Sequence, residues 1–212
     1  MTMSDPYAHT SLGGAVEQGD ANTIMPDVWG YLLTRHQVKS VLDLGCGFGH
    51  AMQWFSSQLV EVCGVEGWDE AVARNLVPGQ VLKHDYTTGP APLADALYDL
   101  CWCAEFVEHV EEQFIGNYMA DMKRCRLVCI THAEPYQDGH HHVTLHDDYW
   151  WEAQFEHYGF KLLREESAVL RLTDRWKAGW GRRSLMLFRN LERAGPPIPV
   201  FTTPEPIYFP ES

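Results

Sequence analysis

Three glycines at alternate positions, in Val41-Leu42-Asp43-Leu44-Gly45-Cys46-Gly47-Phe48-Gly49, constrain this chain more than any other feature. The apolar run ahead of them reads as a buried strand. It breaks into a loop where missing Cβ atoms let the backbone turn sharply and approach a ligand. A helix follows directly, so its N-terminal N–H groups point at the same place. The spacing is Gly-x-Gly-x-Gly, with Asp43 two residues ahead, and not the Gly-x-Gly-x-x-Gly of dinucleotide-binding folds. A carboxylate there repels a pyrophosphate and suits a ligand that is cationic at that point. Any nucleotide-binding loop of Rossmann type remains the alternative from these residues alone.

Apolar runs alternate with helical patterns along the chain, the mark of a parallel sheet covered on both faces. The expected elements are a helix over 27–35, strand 39–44, helix 50–57, strand 60–66, helix 69–75, strand 81–84, strand 98–104, helix 108–124 and strand 127–132. A helix capped by Asp147 or Asp148 and ended by Gly159, a strand over 160–164 and another over 184–189 complete the set. The longest unpatterned stretch, 133–146, carries Pro135, Gly139 and four of the eleven histidines, and loops of that length tend to be functional. The length of 212 residues suits one domain. We expect an N-terminal arm over 1–26, a folded domain over 27–194 and an extended tail over 195–212, where six prolines fall within eighteen residues.

The polar start has neither a basic nor an apolar segment, and no apolar run reaches membrane-spanning length, so the expectation is a soluble, cytoplasmic protein. Cys46, Cys63, Cys101, Cys103, Cys125 and Cys129 fall mostly in apolar segments without Cys-x-x-Cys spacing, and read as small buried hydrophobes of a reduced compartment. A net charge of −13 argues against general affinity for nucleic acid. The charge is uneven, with nine of the sixteen basic residues between Lys161 and Arg193, where the balance is +5. That segment is either an ordinary solvated face or a surface that receives an anionic substrate.

In an open parallel sheet, ligands sit at the carboxyl ends of the strands beside the switch in strand order. Glu66 ends the second expected strand, where a carboxylate can accept both ribose hydroxyls, and Asp85 follows the third, where it can accept from an adenine amino group. Each alone reads equally as a solvated acid; together, in order at successive strand ends, they favour a cofactor site. With these residues the chain resembles the class I S-adenosylmethionine-dependent methyltransferases over most of its folded part. The resemblance implies a doubly wound α/β fold, with a seven-stranded, mostly parallel sheet of order 3-2-1-4-5-7-6, the seventh strand antiparallel and helices on both faces. It also implies S-adenosylmethionine as cofactor. Gly45, Cys46, Gly47 and Gly49 line its methionine part, Asp43 helps to hold the cationic amino acid end, Glu66 takes the ribose, and Asp85 with Tyr86 takes the adenine. Gly67 stands where many members pack a bulky residue on the adenine, leaving Trp68 as the substitute.

The fourth strand runs into Glu105-Phe106-Val107-Glu108-His109. This resembles the Glu-x-x-Glu-His segment of the ubiquinone-pathway O-methyltransferases and the small-RNA 2′-O-methyltransferases. They bind a divalent metal through these side chains and, in the RNA enzymes, through a later histidine. Here the set is Glu105, Glu108 and His109, with His142 as fourth ligand and His141 next to it, for Mg²⁺, Mn²⁺ or Zn²⁺. The Glu-His pair also recurs in methyltransferases without a metal. In that case Glu105 faces the cofactor and His109, or one of His140 to His142, serves as general base beside Glu108. The segment around His142-Val143 resembles a His-Val segment of small-molecule and sugar methyltransferases. Trp150, Trp151, Trp176 and Trp180 either wall the acceptor site or belong to the core.

The resulting expectation is methyl transfer from S-adenosylmethionine to an oxygen, less readily a nitrogen, of a small-molecule acceptor such as a sugar or nucleotide-sugar. RNA is the rival acceptor, and a non-catalytic cofactor-binding interaction module the rival from another class. A nicotinamide-dependent oxidoreductase lacks both its glycine spacing and room for a substrate domain. The pattern does not set the oligomeric state.

Overall fold

The computed structural model describes residues 23–173 and 181–193. The elements are α1 (Pro26–His36), β1 (Ser40–Leu44), α2 (His50–Ser57), β2 (Glu61–Glu66), α3 (Asp69–Ala73), β3 (Val81–Lys83) and β4 (Tyr98–Cys103). Two short 3-10 turns, Val107–His109 and Glu112–Phe114, lead into α4 (Ile115–Met122) and β5 (Cys125–Ile130). Then come α5 (Asp148–His157), β6 (Phe160–Leu162), α6 (Arg164–Thr173), α7 (Gly181–Ser184) and β7 (Met186–Asn190). The expected N-terminal arm falls almost wholly outside the described residues, and the proline-rich tail, Trp176 and Trp180 fall wholly outside them.

The strands form one sheet of order β3-β2-β1-β4-β5-β7-β6. Strands β3, β2, β1, β4 and β5 pair in parallel, and β7 runs antiparallel to β5 and β6. The central strands are largely apolar because helices cover both faces, so alternate residues go to different cores. On one face Leu100 and Trp102 of β4 pack with Trp29 of α1, Phe55 of α2 and Leu170 of α6. On the other, Cys101 and Cys103 pack with Tyr118 of α4 and with Trp151 and Phe155 of α5. All six cysteines are free and five are buried, in keeping with their reading as core hydrophobes. Strand order reverses between β1 and β4, so the segments leaving these two strands flank the crevice of the sheet.

Three departures from the sequence reading have physical causes. The helix expected over 108–124 is broken, because Glu108 and Val110 give their carbonyls to the loop 140–146 instead of to a helical ladder, and Val110 is extended. The helix expected to Asn75 stops at Ala73, because the Asn75 side chain turns to cap Val77. Helix α6 has no counterpart among the expected elements. It has few apolar residues, and the deciding contacts are tertiary: Glu166 meets His36 at 2.8 Å and Arg35 at 3.7 Å.

Helix α2 ends in a six-to-one and five-to-two hydrogen-bond pair, Val60 N–H to Phe55 C=O at 3.2 Å and Leu59 N–H to Ser56 C=O at 3.0 Å. That motif puts Leu59 in the left-handed region, φ 63°, where glycine is the ordinary occupant, while 95% of the leucine is exposed. Leu59→Gly therefore relieves backbone strain and gives up no burial. We expect it to raise stability by about 1 kcal/mol, measured by urea denaturation.

Candidate active site

The loop after β1 needs its glycines for conformation and for space. Gly45, Gly47 and Gly49 have φ of 69°, 52° and 82°. A Cβ on Gly45 would lie 2.5 Å from the Phe106 ring, while one on Gly47 would meet nothing within 4 Å. The loop is thus packed from beneath by the segment after β4 and open at Gly47. Its base is pinned by Val65, whose carbonyl accepts from Gly45 N–H at 2.9 Å and Cys46 N–H at 3.2 Å.

Two carboxyls converge on the loop. Glu66, at the end of β2, accepts from the N–H groups of Gly47 and Trp68, each at 2.8 Å. Gly67 also supplies its N–H to this carboxylate, yet burial outweighs these bonds and pushes the Glu66 pKa up. Asp43, buried on β1, is pushed up to about 8, first by burial and then by the charge of Glu66. A cationic group arriving between these carboxyls favours the ionised form of both.

Further along the same edge, Asp85 accepts from Thr87 N–H at 2.9 Å. The Tyr86 ring turns into the core, its hydroxyl donating to Asp121 at 2.9 Å and its pKa raised by burial and that carboxylate. Asn117 of α4 donates to the Tyr86 carbonyl at 2.6 Å, and Asp121 accepts from Ala91 N–H at 2.9 Å. Helix α4 thereby anchors the segment that carries Asp85, a role the sequence reading missed. The Trp68 ring stands edge-on to Phe48 with centroids 5.5 Å apart, and Arg74 lies 5.0 Å from the Phe48 centroid.

The segment after β4 holds the second cluster. Glu105 has φ 50°, a costly conformation for its type, and Thr131 at the end of β5 stabilises it twice. The Thr131 hydroxyl accepts from Glu105 N–H and donates to Glu105 Oε1, both at 2.9 Å. Glu108 is fully buried, and neither of its carboxylate oxygens has a well-formed hydrogen bond. Burial and the neighbouring Glu105 push its pKa well above the carboxylate range, only partly opposed by backbone groups, that of Ala133 among them.

Main-chain bonds fasten the histidine loop to this segment. Val143 and Thr144 N–H donate to the Glu108 carbonyl at 2.9 and 3.1 Å, and the Thr144 hydroxyl to the Val110 carbonyl at 2.8 Å. His109 Nδ1 faces the His141 carbonyl at 3.1 Å, and His142 Nδ1 faces the Gln137 carbonyl at 2.9 Å. A carbonyl only accepts, so each ring donates through Nδ1 and leaves Nε2 as the lone-pair nitrogen. Burial lowers the His109 pKa to about 4, so this ring is neutral at pH 7. Ligand atoms of Glu108, His109 and His142 all lie within 4.8 Å of one another. Three of the four expected metal ligands thus come together, while Thr131 engages the carboxylate of Glu105. Gly139 makes room for this: a Cβ there would lie 2.1 Å from the His142 ring.

At the rim, His146 stacks on Trp150 with centroids 3.7 Å apart and reaches Glu112 at 2.7 Å, while Trp151 is wholly buried. The adjacent pair of tryptophans therefore divides, one wholly in the core and one stacked on His146. Three of the nine basic residues between Lys161 and Arg193 are engaged in ion pairs: Arg164, Arg171 and Arg183 pair with Glu152, Asp148 and Glu134.

A seven-stranded sheet in this order, with a glycine loop and strand-end acids at its switch point, is the Rossmann-like fold of S-adenosylmethionine-dependent methyltransferases. The chain has the fold of this class. Residues 42–125 match the family model described as "Methyltransferase domain". Among solved structures, it is similar to a SAM-dependent methyltransferase from Archaeoglobus fulgidus, at 16% identity and TM-score 0.55, covering 81% of this chain and 94% of that one. It is also similar to an S-adenosylmethionine-dependent methyltransferase from Clostridium acetobutylicum, at 11% identity and TM-score 0.59, covering 78% and 90%. The methyltransferase domain of bacterial CtHen1-CN gives 16% identity and TM-score 0.54, covering 77% and 96%. At these identities the likeness is one of fold. No curated protein matches the chain by sequence.

Proposed function

We propose that the protein moves the methyl group of S-adenosylmethionine to an oxygen of a small hydroxylated molecule, of the sugar or nucleotide-sugar kind, held at the Glu108, His109 and His142 cluster. In this reading Asp43 and the loop of Gly45, Cys46, Gly47 and Gly49 hold the methionine part, and Glu66 holds the ribose. The Asp85–Tyr86 segment, Gly67 and Trp68 surround the adenine. The observation that carries the acceptor assignment is the buried Glu108 carboxyl, which lacks a well-formed hydrogen bond and has a ring nitrogen of His109 and one of His142 within 4.8 Å. Outside a ligand site such a carboxyl only costs stability.

The same donor set fits a divalent cation, with Glu108, His109 and His142 as holders and Glu105 beside them. When bound, the ion would lower the pKa of an acceptor hydroxyl. The chain's own groups do the remaining work. Where no ion is bound, the same His109 nitrogen serves instead as base: the ring, neutral at pH 7, takes a hydroxyl proton at Nε2, and the backbone bond at Nδ1 keeps that nitrogen in place. Alignment of the acceptor oxygen with the methyl group supplies much of the rate, because a sulfonium is already an activated leaving group. The ion pairs of Arg164, Arg171 and Arg183 engage three of the nine basic residues that a nucleic acid backbone would need, and the net charge of −13 also counts against that partner.

The test is turnover of chelator-treated protein with S-adenosylmethionine and a panel of sugars, nucleotide-sugars and catechols, with and without Mn²⁺. NMR would locate the new methyl group. We expect O-methyl products that form faster with the ion and vanish in His142→Ala. Methyl on nitrogen, or turnover indifferent to His142, would refute the acceptor assignment.

A further inference from the structure

We propose that Asn75 is a positioning residue for the cofactor: its buried amide clamps the glycine loop, as assigned above, in the shape that receives S-adenosylmethionine. Asn75 lies just past α3, far in sequence from the loop, and is 7% exposed. Its Nδ2 donates to the Gly47 carbonyl at 3.0 Å and lies 3.8 Å from the Cys46 sulfur, while its Oδ1 accepts from Val77 N–H at 2.9 Å. The next residue repeats the contact, Leu76 N–H donating to the Phe48 carbonyl at 2.9 Å. The fit at Gly49 is close: a Cβ there would lie 2.4 Å from Asn75 Oδ1 and 2.7 Å from Nδ2.

The consequence for the loop follows from peptide geometry. In a trans peptide the C=O of one residue and the N–H of the next point in opposite directions, and no peptide here is cis. By holding the Gly47 carbonyl, Asn75 turns the Phe48 N–H to the opposite side. Glu66 holds the N–H of Gly47 itself at 2.8 Å. Both peptide units that flank Gly47 are therefore fixed, one by a carboxylate and one by a primary amide, at the residue type with the most conformational freedom to lose. A loop ordered before the ligand arrives spares the affinity that ordering on binding would consume. The amide suits this position because it offers a donor to Gly47 and an acceptor to Val77 at once, which an ionised carboxylate or an apolar side chain does not.

The experiment is calorimetric titration of S-adenosylmethionine into the full chain, Asn75→Asp, Asn75→Leu and Glu66→Gln, at a temperature where circular dichroism shows each folded. Asn75→Asp keeps size and the Val77 bond but turns an oxygen toward the Gly47 carbonyl. Its added charge, if anything, attracts the cationic cofactor. We expect Kd to rise about 10- to 100-fold in both Asn75 variants. An Asn75→Asp that binds within about twofold of the wild type, whatever its melting temperature, overturns the clamp. Loss of binding in Glu66→Gln but not in Asn75→Asp removes the clamp alone, whereas unchanged binding in Glu66→Gln removes the loop assignment. The empty wild-type protein gives a reading that needs no variant. Hydrogen exchange of the Gly47 and Gly49 amides should be slow before cofactor is added, and fast exchange there also overturns the clamp.

Discussion

Replacing Glu66 by glutamine is expected to raise the Kd for S-adenosylmethionine by about 100-fold or more, the largest loss of cofactor affinity among single substitutions in the loop region. The carboxylate accepts from two loop amides at 2.8 Å, and in the proposed complex it also takes the ribose hydroxyls. Glutamine offers one acceptor oxygen and turns an N–H₂ toward groups that only donate, so charge-assisted bonds are lost and a clash of donors is gained. The same substitution changes how the empty protein responds to pH. Asp43 is raised from 3.8 to about 8, so the stability held by its protonated form is complete below about pH 4 and is lost as pH rises through 8. Removing the Glu66 charge lowers that folded pKa. The fall in melting temperature of the empty protein from pH 4 to pH 8 should therefore be shallower in Glu66→Gln than in the wild type. A variant that binds the cofactor normally would exclude Glu66 from the ribose site.

Replacing Glu108 by leucine is expected to abolish methyl transfer and to make the protein more stable. A general acid–base or ligand carboxyl at the acceptor contributes about 10²- to 10⁴-fold in rate. Against that, the side chain is fully buried, without a well-formed hydrogen bond at either oxygen, and lies beside a second carboxyl. An apolar residue of similar size removes this burden, and we expect a gain of about 1–3 kcal/mol. For a domain of this size that is a rise of about 2–4 °C in melting temperature per kcal/mol. His142→Ala is the control, losing turnover without gaining stability. An active Glu108→Leu, or one that melts lower than the wild type, would show that Glu108 serves the core and not the site.

The part of this arrangement that follows a strand is the part that was legible in the sequence. Asp43, the glycines, Glu66, Asp85 and Glu105 to His109 all leave the carboxyl ends of parallel strands, and alternation of apolar runs with helical patterns locates those ends to within a residue or two. The sheet order and the antiparallel last strand likewise follow the resemblance carried by those residues. What could not be read was anything made by a side chain returning from elsewhere. Asn75, Thr131, Asn117 and Asp121 each place a functional segment through one or two hydrogen bonds, and none stands in a pattern that betrays it. The broken helix after β4 is of the same kind, because its cause, the donors of Val143 and Thr144, lies more than thirty residues away. Helix α6 was hidden for a different reason, since it has few apolar residues and its buried face is made by Glu166, Ser167 and Leu170.

The loop that carries His142 is irregular in conformation but tied by its backbone to the turn that carries Glu108. It is therefore no independent flap. Any opening large enough to move His142 must pull on the Glu108 carbonyl, so the amides of Val143 and Thr144 should exchange with deuterium about as slowly as those of a short strand. Adjustment to different acceptors then falls to parts outside this lock, such as exposed Tyr136 at the preceding turn and Tyr149 at the start of α5. Substitutions there are expected to shift the preference among acceptors while leaving the exchange of the Val143 and Thr144 amides unchanged.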